Sequence, residues 1–210
     1  MKKLVLLACI TAISIVTSCK NDKKETKEVE KQELPVTEKF VVKPEATSIG
    51  WTAYKTTDKV GVAGEFTTVD FDEKSGSTPQ EALNNLTFSI PISSLFTNDP
   101  TNTRDTKITQ TFFGSMIDPD FIKGTIKYTN NTCTALLTMN GVTNELPLEV
   151  SITDERRVKL SGTMNLKDWN ALEALEALNK VCFDLHKGAD GISKTWEDVS
   201  IEVSTFLRKN

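Results

Sequence analysis

The stretch CTALLTMNGVTNELPLEVSI, residues 133–152, sets Asn140-Gly141 between two runs of alternating apolar and polar residues. A two-residue type I′ turn needs positive φ at both central positions, and Asn and Gly reach that region most readily. The turn fixes a register in which Met139 faces Val142, Leu137 faces Asn144, Ala135 faces Leu146 and Cys133 faces Leu148. Side chains alternate with period two, so those pairs share one side of the sheet. On the second strand Leu146, Leu148, Val150 and Ile152 point to that side, and Glu145, Pro147, Glu149 and Ser151 to the other. Pro147 has no backbone donor, which places its strand at an edge or at a bulge. Antiparallel β is the theme.

The same period runs outward from the hairpin. Ile49, Trp51 and Ala53 alternate in a first strand, and Val60, Val62, Gly64 and Phe66 share a face in a second, with a bulge expected near Thr67. Leu86, Phe88, Ile90 and Ile92 make a third, and Ile122, Gly124, Ile126 and Tyr128 lead into the hairpin. Val158, Leu160, Gly162, Met164 and Leu166 follow, and Val199, Ile201 and Val203 mark the last strand. Two stretches break the pattern. Residues 93–119 have no clean period; they predict a long polar loop, either a lid or rim or an ordered surface loop pinned by the core aromatics Phe112 and Phe113, with a short helix over 103–113. Asp168 followed by WNALEALEALNK predicts a helix with Asp168 as N-cap, and Val181, Phe183 and Leu185 a short strand after it. The expected fold is all-β, with about eight antiparallel strands in a barrel or sandwich and one late helix. An eight-stranded barrel has room for one elongated apolar ligand.

The beginning of the chain has another purpose. Lys2 and Lys3 precede an apolar run over 4–16, a secretory signal pattern too short for a confident membrane span. The ending Val16-Thr17-Ser18-Cys19 resembles the lipobox of bacterial lipoproteins, which implies cleavage after residue 18 and a lipid on Cys19. The protein is then expected outside the cytoplasm, membrane-anchored through Cys19 and facing periplasm or cell surface. Residues 19–39 are rich in both charges and lack an aromatic before Phe40; they read as a solvated tether ahead of a domain over 40–210. Loss of Lys2 and Lys3 leaves 23 basic against 29 acidic residues, a net charge of −6, which argues against nucleic acid or anionic headgroup surfaces as partners. The size suits one domain.

Of four cysteines, Cys9 leaves with the signal and Cys19 takes the lipid. Cys133 and Cys182 either form a disulfide, worth about 4 kcal/mol for a loop of roughly fifty residues, or stand as two separate small residues. The single histidine, His186, excludes a His-rich metal site and fits a surface residue better than a catalytic base. No nucleophile elbow, phosphate-cradling glycine loop or other cofactor pattern occurs. Arg104-Asp105 either knits the long loop to the barrel or forms a surface ion pair.

Several blocks in order resemble the YceI-like family. Val60-Gly61-Val62-Ala63-Gly64-Glu65-Phe66 is similar to its early V-x-G-x-F strand, and TNDPTNTRD over 97–105, with Phe112-Phe113 beyond, to its polar loop. Leu137-Thr138-Met139-Asn140-Gly141-Val142-Thr143 resembles its L-T-x-x-G-V-T hairpin. The resemblance, over about residues 49–207, implies an exported lipocalin-like barrel without catalysis that holds a polyisoprenoid or other long-chain lipid such as a quinone tail. The inward residues expected to line it are Phe66, Phe88, Ile90, Leu137, Met139, Leu148 and Leu160, with Phe112 and Phe113 closing the mouth. The family commonly has His-Leu shortly after Arg-Asp, where this chain has Lys107-Ile108, and residues 169–194 add a helix and loop outside its usual pattern. Such a helix would narrow or fill the cavity. The alternative is an envelope scaffold whose barrel is filled with side chains, and the third reading, an enzyme, would rest on His186 or Asp105.

Overall fold

The computed structural model describes residues 38–209, and eight long strands dominate it. In chain order they are β1 (Thr47–Lys55), β2 (Val60–Phe66), β3 (Thr87–Pro91), β4 (Phe121–Thr129), β5 (Thr132–Met139), β6 (Val142–Thr153), β7 (Arg157–Asn165) and β8 (Thr195–Phe206). Three α-helices accompany them: α1 (Pro79–Leu83), α2 (Thr103–Lys107) and α3 (Leu172–Val181). The compact unit spans Thr37–Asn210. The signal pattern, Cys19 and nearly all of the tether lie outside the described residues. Among the described residues no helix is long and apolar enough to cross a membrane.

The strands form one curled antiparallel sheet in the order β3-β4-β5-β6-β7-β8-β1-β2. Its two ends are stitched together by short continuations of the chain. Beyond β2, Asp70–Phe71 pairs with β3, and beyond β3, Leu95–Phe96 pairs with β2. Between them the Thr67 N–H donates to the Ser94 carbonyl at 2.9 Å. The irregularity expected at Thr67 is therefore where the chain leaves one end of the sheet and joins the other. A second, small sheet holds Phe40–Val41 between Arg208–Lys209 and Ser75–Gly76.

The hairpin of β5 and β6 has the register its turn dictates, from Val142↔Met139 to Leu148↔Cys133. Asn140 and Gly141 take φ of 53° and 69°, as a type I′ turn requires. Asn140 also acts as a staple. Its amide donates to the carbonyls of Trp169 at 3.1 Å and Asn170 at 3.0 Å, and its oxygen accepts the Ile117 N–H at 2.8 Å. Pro147 sits where β6 changes partner: β6 pairs with β5 as far as Leu148 and with β7 only from Glu149. No ladder bond is asked of the missing N–H, so a strand inside the sheet order tolerates the proline.

The late helix differs from its expected form. Residues Leu166–Trp169 make a 3-10 turn, Asn170 enters the left-handed region, and α3 starts at Leu172 behind Ala171 rather than behind Asp168. Tertiary contact explains the shift, since Trp169 is buried with its indole N–H donating to the Leu137 carbonyl at 2.8 Å. That anchor ends the first turn and forces the helix to begin again. Phe183–His186 is a 3-10 turn where a short strand was expected. Phe183 and Leu185 alternate in sequence, yet both are more than half exposed, so no sheet face is there to receive them.

Residues 103–115 run through α2, a π turn over Ile108–Phe112 and a 3-10 turn over Phe113–Ser115. Wide turns of this kind recur at functional sites. Asp105 is buried and ties this segment down: its carboxylate accepts from the Thr97 N–H at 3.1 Å and from the Thr97 hydroxyl.

Candidate functional site

The barrel interior is filled at one end and open at the other. Ile90, Leu137, Leu148 and Leu160 are all buried and belong to one cluster with Trp169. Phe88 is half-buried against the same cluster, and its ring lies over Gly124, where a Cβ would come within 2.5 Å of it. These five residues, expected from their strand positions to surround a ligand, are not among those lining the cavity. They pack into the core instead, and the Leu137 carbonyl also accepts the Trp169 indole N–H.

A cavity of about 440 Å³ occupies the other part. Trp51 and Ala53 from β1, Val62 and Phe66 from β2, and Val199 and Ile201 from β8 form its sheet wall. Register explains the grouping, because Ile201 faces Trp51 and Val199 faces Ala53 across the β8–β1 ladder. Ile122, Met139 and Met164 contribute from β4, β5 and β7. The cover is helical, with Ile108, Phe112 and Phe113 on one side and Leu175, Leu178 and Cys182 of the α3 segment on the other. Phe112 and Phe113 are buried wall residues rather than a gate at the mouth. Phe113 packs edge-on against Phe112 at 4.9 Å between ring centres and against Phe66 at 6.5 Å. The helix that sequence spacing placed after β7 thus covers the cavity.

Polar groups gather on one rim. Lys55 ends β1 and donates to the Leu185 carbonyl at 3.0 Å. Arg104 and Lys107 lie one turn apart, and Asp99, Thr101 and Thr103 lie beside them. The Asp99 carboxylate accepts the Arg104 backbone N–H at 2.8 Å and the Thr101 N–H and hydroxyl, and the Arg104 amide holds it below the usual carboxylate range. His186 is pushed down to about 4, first by burial and then by the charges of Lys55 and Lys107, so it is neutral at pH 7. Its Nδ1 donates to Asn179 Oδ1 at 3.0 Å, an oxygen that also accepts from Ser193. Two extra residues in β8, between the pairs Thr195↔Lys55 and Val199↔Ala53, swing Trp196 to this rim, where Lys194 lies 3.6 Å from its ring centre.

Cys133 and Cys182 are free thiols in different places. Cys133 faces the core on β5, and burial pushes its thiol up to about 11. Cys182 closes α3 and lines the cavity, and burial raises its pKa too. No cluster of metal-ligating side chains occurs among the described residues.

Over residues 40–206 the sequence matches the YceI-like domain family. The chain belongs to that family. Two solved structures are similar in fold. A polyisoprenoid binding domain from Saccharophagus degradans, implicated in plant cell wall breakdown, is 13% identical with a TM-score of 0.59; the match covers 81% of this chain and 98% of that one. BcnA of Burkholderia cenocepacia is 14% identical with a TM-score of 0.50, covering 79% and 98%. A search of curated proteins by sequence finds no match. The mostly β, curled antiparallel sheet with short helices is the lipocalin-like YceI fold.

Strand alternation had marked Phe66 and Met139, and both line the cavity. It also signalled Trp51, Ala53, Val62, Met164, Val199 and Ile201 as a face, although the candidate residues did not include them. The rim cations left no local signal, because Lys55 and Lys107 meet only through the fold.

Proposed function

We propose that this YceI-like protein holds one apolar lipid chain in its barrel without chemical turnover. The observation that carries the reading is the continuous carbon lining of the 440 Å³ cavity, supplied by six strands and two helical segments. That volume lies within the usual range for ligand sites, about 300–1,000 Å³. At about 30 Å³ for a water-sized unit, it accommodates about fifteen carbons. Each methylene buried contributes about 0.8 kcal/mol. The S. degradans relative, a polyisoprenoid binding domain, supports an isoprenoid chain; a quinone tail of that length is one form of it. Two features favour binding over catalysis. His186 is held neutral at the rim with its Nδ1 engaged, and the Cys182 thiol is kept protonated by burial.

Anchoring belongs to the same proposal. The lipobox resemblance at residues 16–19 supports a lipid on Cys19 and a location outside the cytoplasm. The eighteen residues 19–36 then reach at most about 60 Å when extended, enough for the cavity to meet the bilayer that supplies its ligand. Mass spectrometry of the first mature peptide reads this directly: a diacylglyceryl Cys19 is expected, and an unmodified Cys19 in membrane-derived protein refutes the anchor.

The binding test has two parts. Organic extracts of the purified protein are expected to contain a stoichiometric isoprenoid or similar lipid. Titration with farnesol is expected to change tryptophan fluorescence, since Trp51 and Trp196 line the cavity. A protein that is lipid-free on extraction and unresponsive to farnesol, hexadecanol and their anionic counterparts would sink the proposal. The scaffold reading would then gain from Val181 at the end of α3 and from Phe183, Leu185 and Ile192 after it, which are all exposed.

A further inference from the structure

The cavity is apolar on every side except its rim, and the rim is cationic. Lys55 comes from the end of β1, while Arg104 and Lys107 project from the helical cover three residues apart, a spacing that puts them on one face. Among the described residues none of the three is within salt-bridge distance of a carboxylate; the five ion pairs there all involve other cations. Asp99, the carboxylate on this rim, is already occupied by three donors, two N–H groups and a hydroxyl. Lys59 and Lys194 lie nearby but are engaged, the first with Asp198 at 2.7 Å and the second over Trp196.

This gathering stands out because the sequence as a whole is acidic, with a formal net charge of −4. Three cations outside any ion pair, Lys55 on the Leu185 carbonyl and Arg104 on the Thr97 carbonyl, outnumber the single Asp99 charge and focus a positive potential into the mouth of a low-dielectric cavity. A ligand whose chain fills the cavity must leave its head at this rim.

We propose that the bound lipid carries an anionic headgroup, a carboxylate or a phosphate, held by Lys55 and Lys107 with Arg104 beside them. The inference rests on the reading of the cavity as a lipid site. It restricts the ligand to an amphiphile of about fifteen carbons with a charged end, either a fatty acid or a prenyl phosphate. Charge-assisted hydrogen bonds from ammonium and guanidinium groups hold such a head far better than neutral ones.

Matched pairs of probes test it. Farnesyl monophosphate is compared with farnesol, and palmitate with hexadecanol, by tryptophan fluorescence on the purified protein. The anion of at least one pair is expected to bind about tenfold tighter than its alcohol. Raising salt from about 0.01 M to about 1 M is expected to erode that preference, because the screening length falls from about 30 Å to about 3 Å. The double variant Lys55→Gln/Lys107→Gln is expected to abolish the preference by lowering anion affinity far more than alcohol affinity. Lys107→Glu alone should push anion affinity below that of the alcohol. Preference for the phosphate identifies a prenyl phosphate, and preference for palmitate a fatty acid. Equal binding of acid and alcohol, or equal loss of both in the double variant with an unchanged melting curve, overturns the headgroup. Binding of none of the four probes overturns the lipid site itself, a separate result.

Discussion

Gly64→Ala is a sharp test of how the cavity wall is built. Trp51 and Gly64 face each other across β1 and β2, and the indole lies flat over the glycine. A Cβ at position 64 would stand 2.2 Å from Cζ2 of Trp51, 2.6 Å from Cε2 and 2.8 Å from Cη2. Carbon pairs are comfortable at about 3.5–4.0 Å, so the ring must move by more than about 1 Å. The neighbouring strands fix its other side, and the cavity it lines is the free direction. Overpacking of this kind costs about 1–3 kcal/mol. For a unit of this length each kcal/mol lowers Tm by about 2–4 °C, which gives a drop of about 2–12 °C in a circular-dichroism melt. Farnesol affinity should fall as well, because the displaced ring occupies ligand space. Trp51→Phe removes the offending atoms, so the double variant Trp51→Phe/Gly64→Ala should be more stable than the two single effects predict, by about 0.5–3 kcal/mol of coupling. A Gly64→Ala protein that melts within about 1 °C of the parent, with no coupling to Trp51, would refute the packing argument.

Three further outcomes follow from the same geometry. Asp105→Ala strands the Thr97 N–H and hydroxyl in a buried place; at about 1.5–3 kcal/mol for a hydrogen bond to a charged group, a loss of about 2–4 kcal/mol is expected in urea unfolding, and a loss under about 0.5 kcal/mol would show that the 103–115 segment is held otherwise. His186 stays neutral in the fold down to about pH 4, whereas the unfolded chain takes up a proton near pH 6.5. Its contribution is therefore complete above pH 6.5 and is lost as pH falls from there to about 4; after discounting for partial exposure the loss is about 1–2 kcal/mol, and His186→Gln should flatten that slope, with an unaltered slope counting against the assignment. Digestion without reductant should recover Cys133 and Cys182 on separate peptides, with Cys182 alkylated faster and shielded by bound farnesol; a peptide pair joined through these cysteines would contradict the placement.

How much of this was legible in the sequence depends on the distance over which each signal acts. Asn140-Gly141 carries its own turn geometry, and period-two alternation carries the faces, so all eight long strands could be read from local pattern. The hairpin register followed without any tertiary information. Pro147 suggested an edge or a bulge, whereas the strand lies inside the sheet and changes partner between Leu148 and Glu149, which is a property of the curl and not of the residue. Asp168 had the composition of an N-cap, but Trp169 found a carbonyl on β5 and broke the helix start. The site was legible only in part, since alternation says which side is inward and not which inward space is filled. Leu137, Leu148 and Leu160 have the same pattern as Met139 and Phe66; packing between distant segments decides which of them border a cavity. Phe112 and Phe113 read as a gate from their place at the end of a polar loop, and the π turn buries both in the wall.

The position of β8 has a consequence for how the barrel is completed. The strands β3 to β7 follow one another in space as in sequence, and β1 pairs with β2 as a separate hairpin. Apart from the short stitches between β2 and β3, only β8 joins the two groups, through Leu160↔Val203 on one side and Ile49↔Val203 on the other. Until it arrives, the chain consists of a five-strand meander and a hairpin with two open edges facing each other. A chain emerging from a ribosome or through a narrow passage at 5–20 residues per second therefore spends several seconds with its keystone missing. Pairings separated by about 150 residues also close slowly. Release of a chain before Val203 has emerged leaves two exposed strand edges, and a factor that keeps such edges apart would act on this protein at that moment.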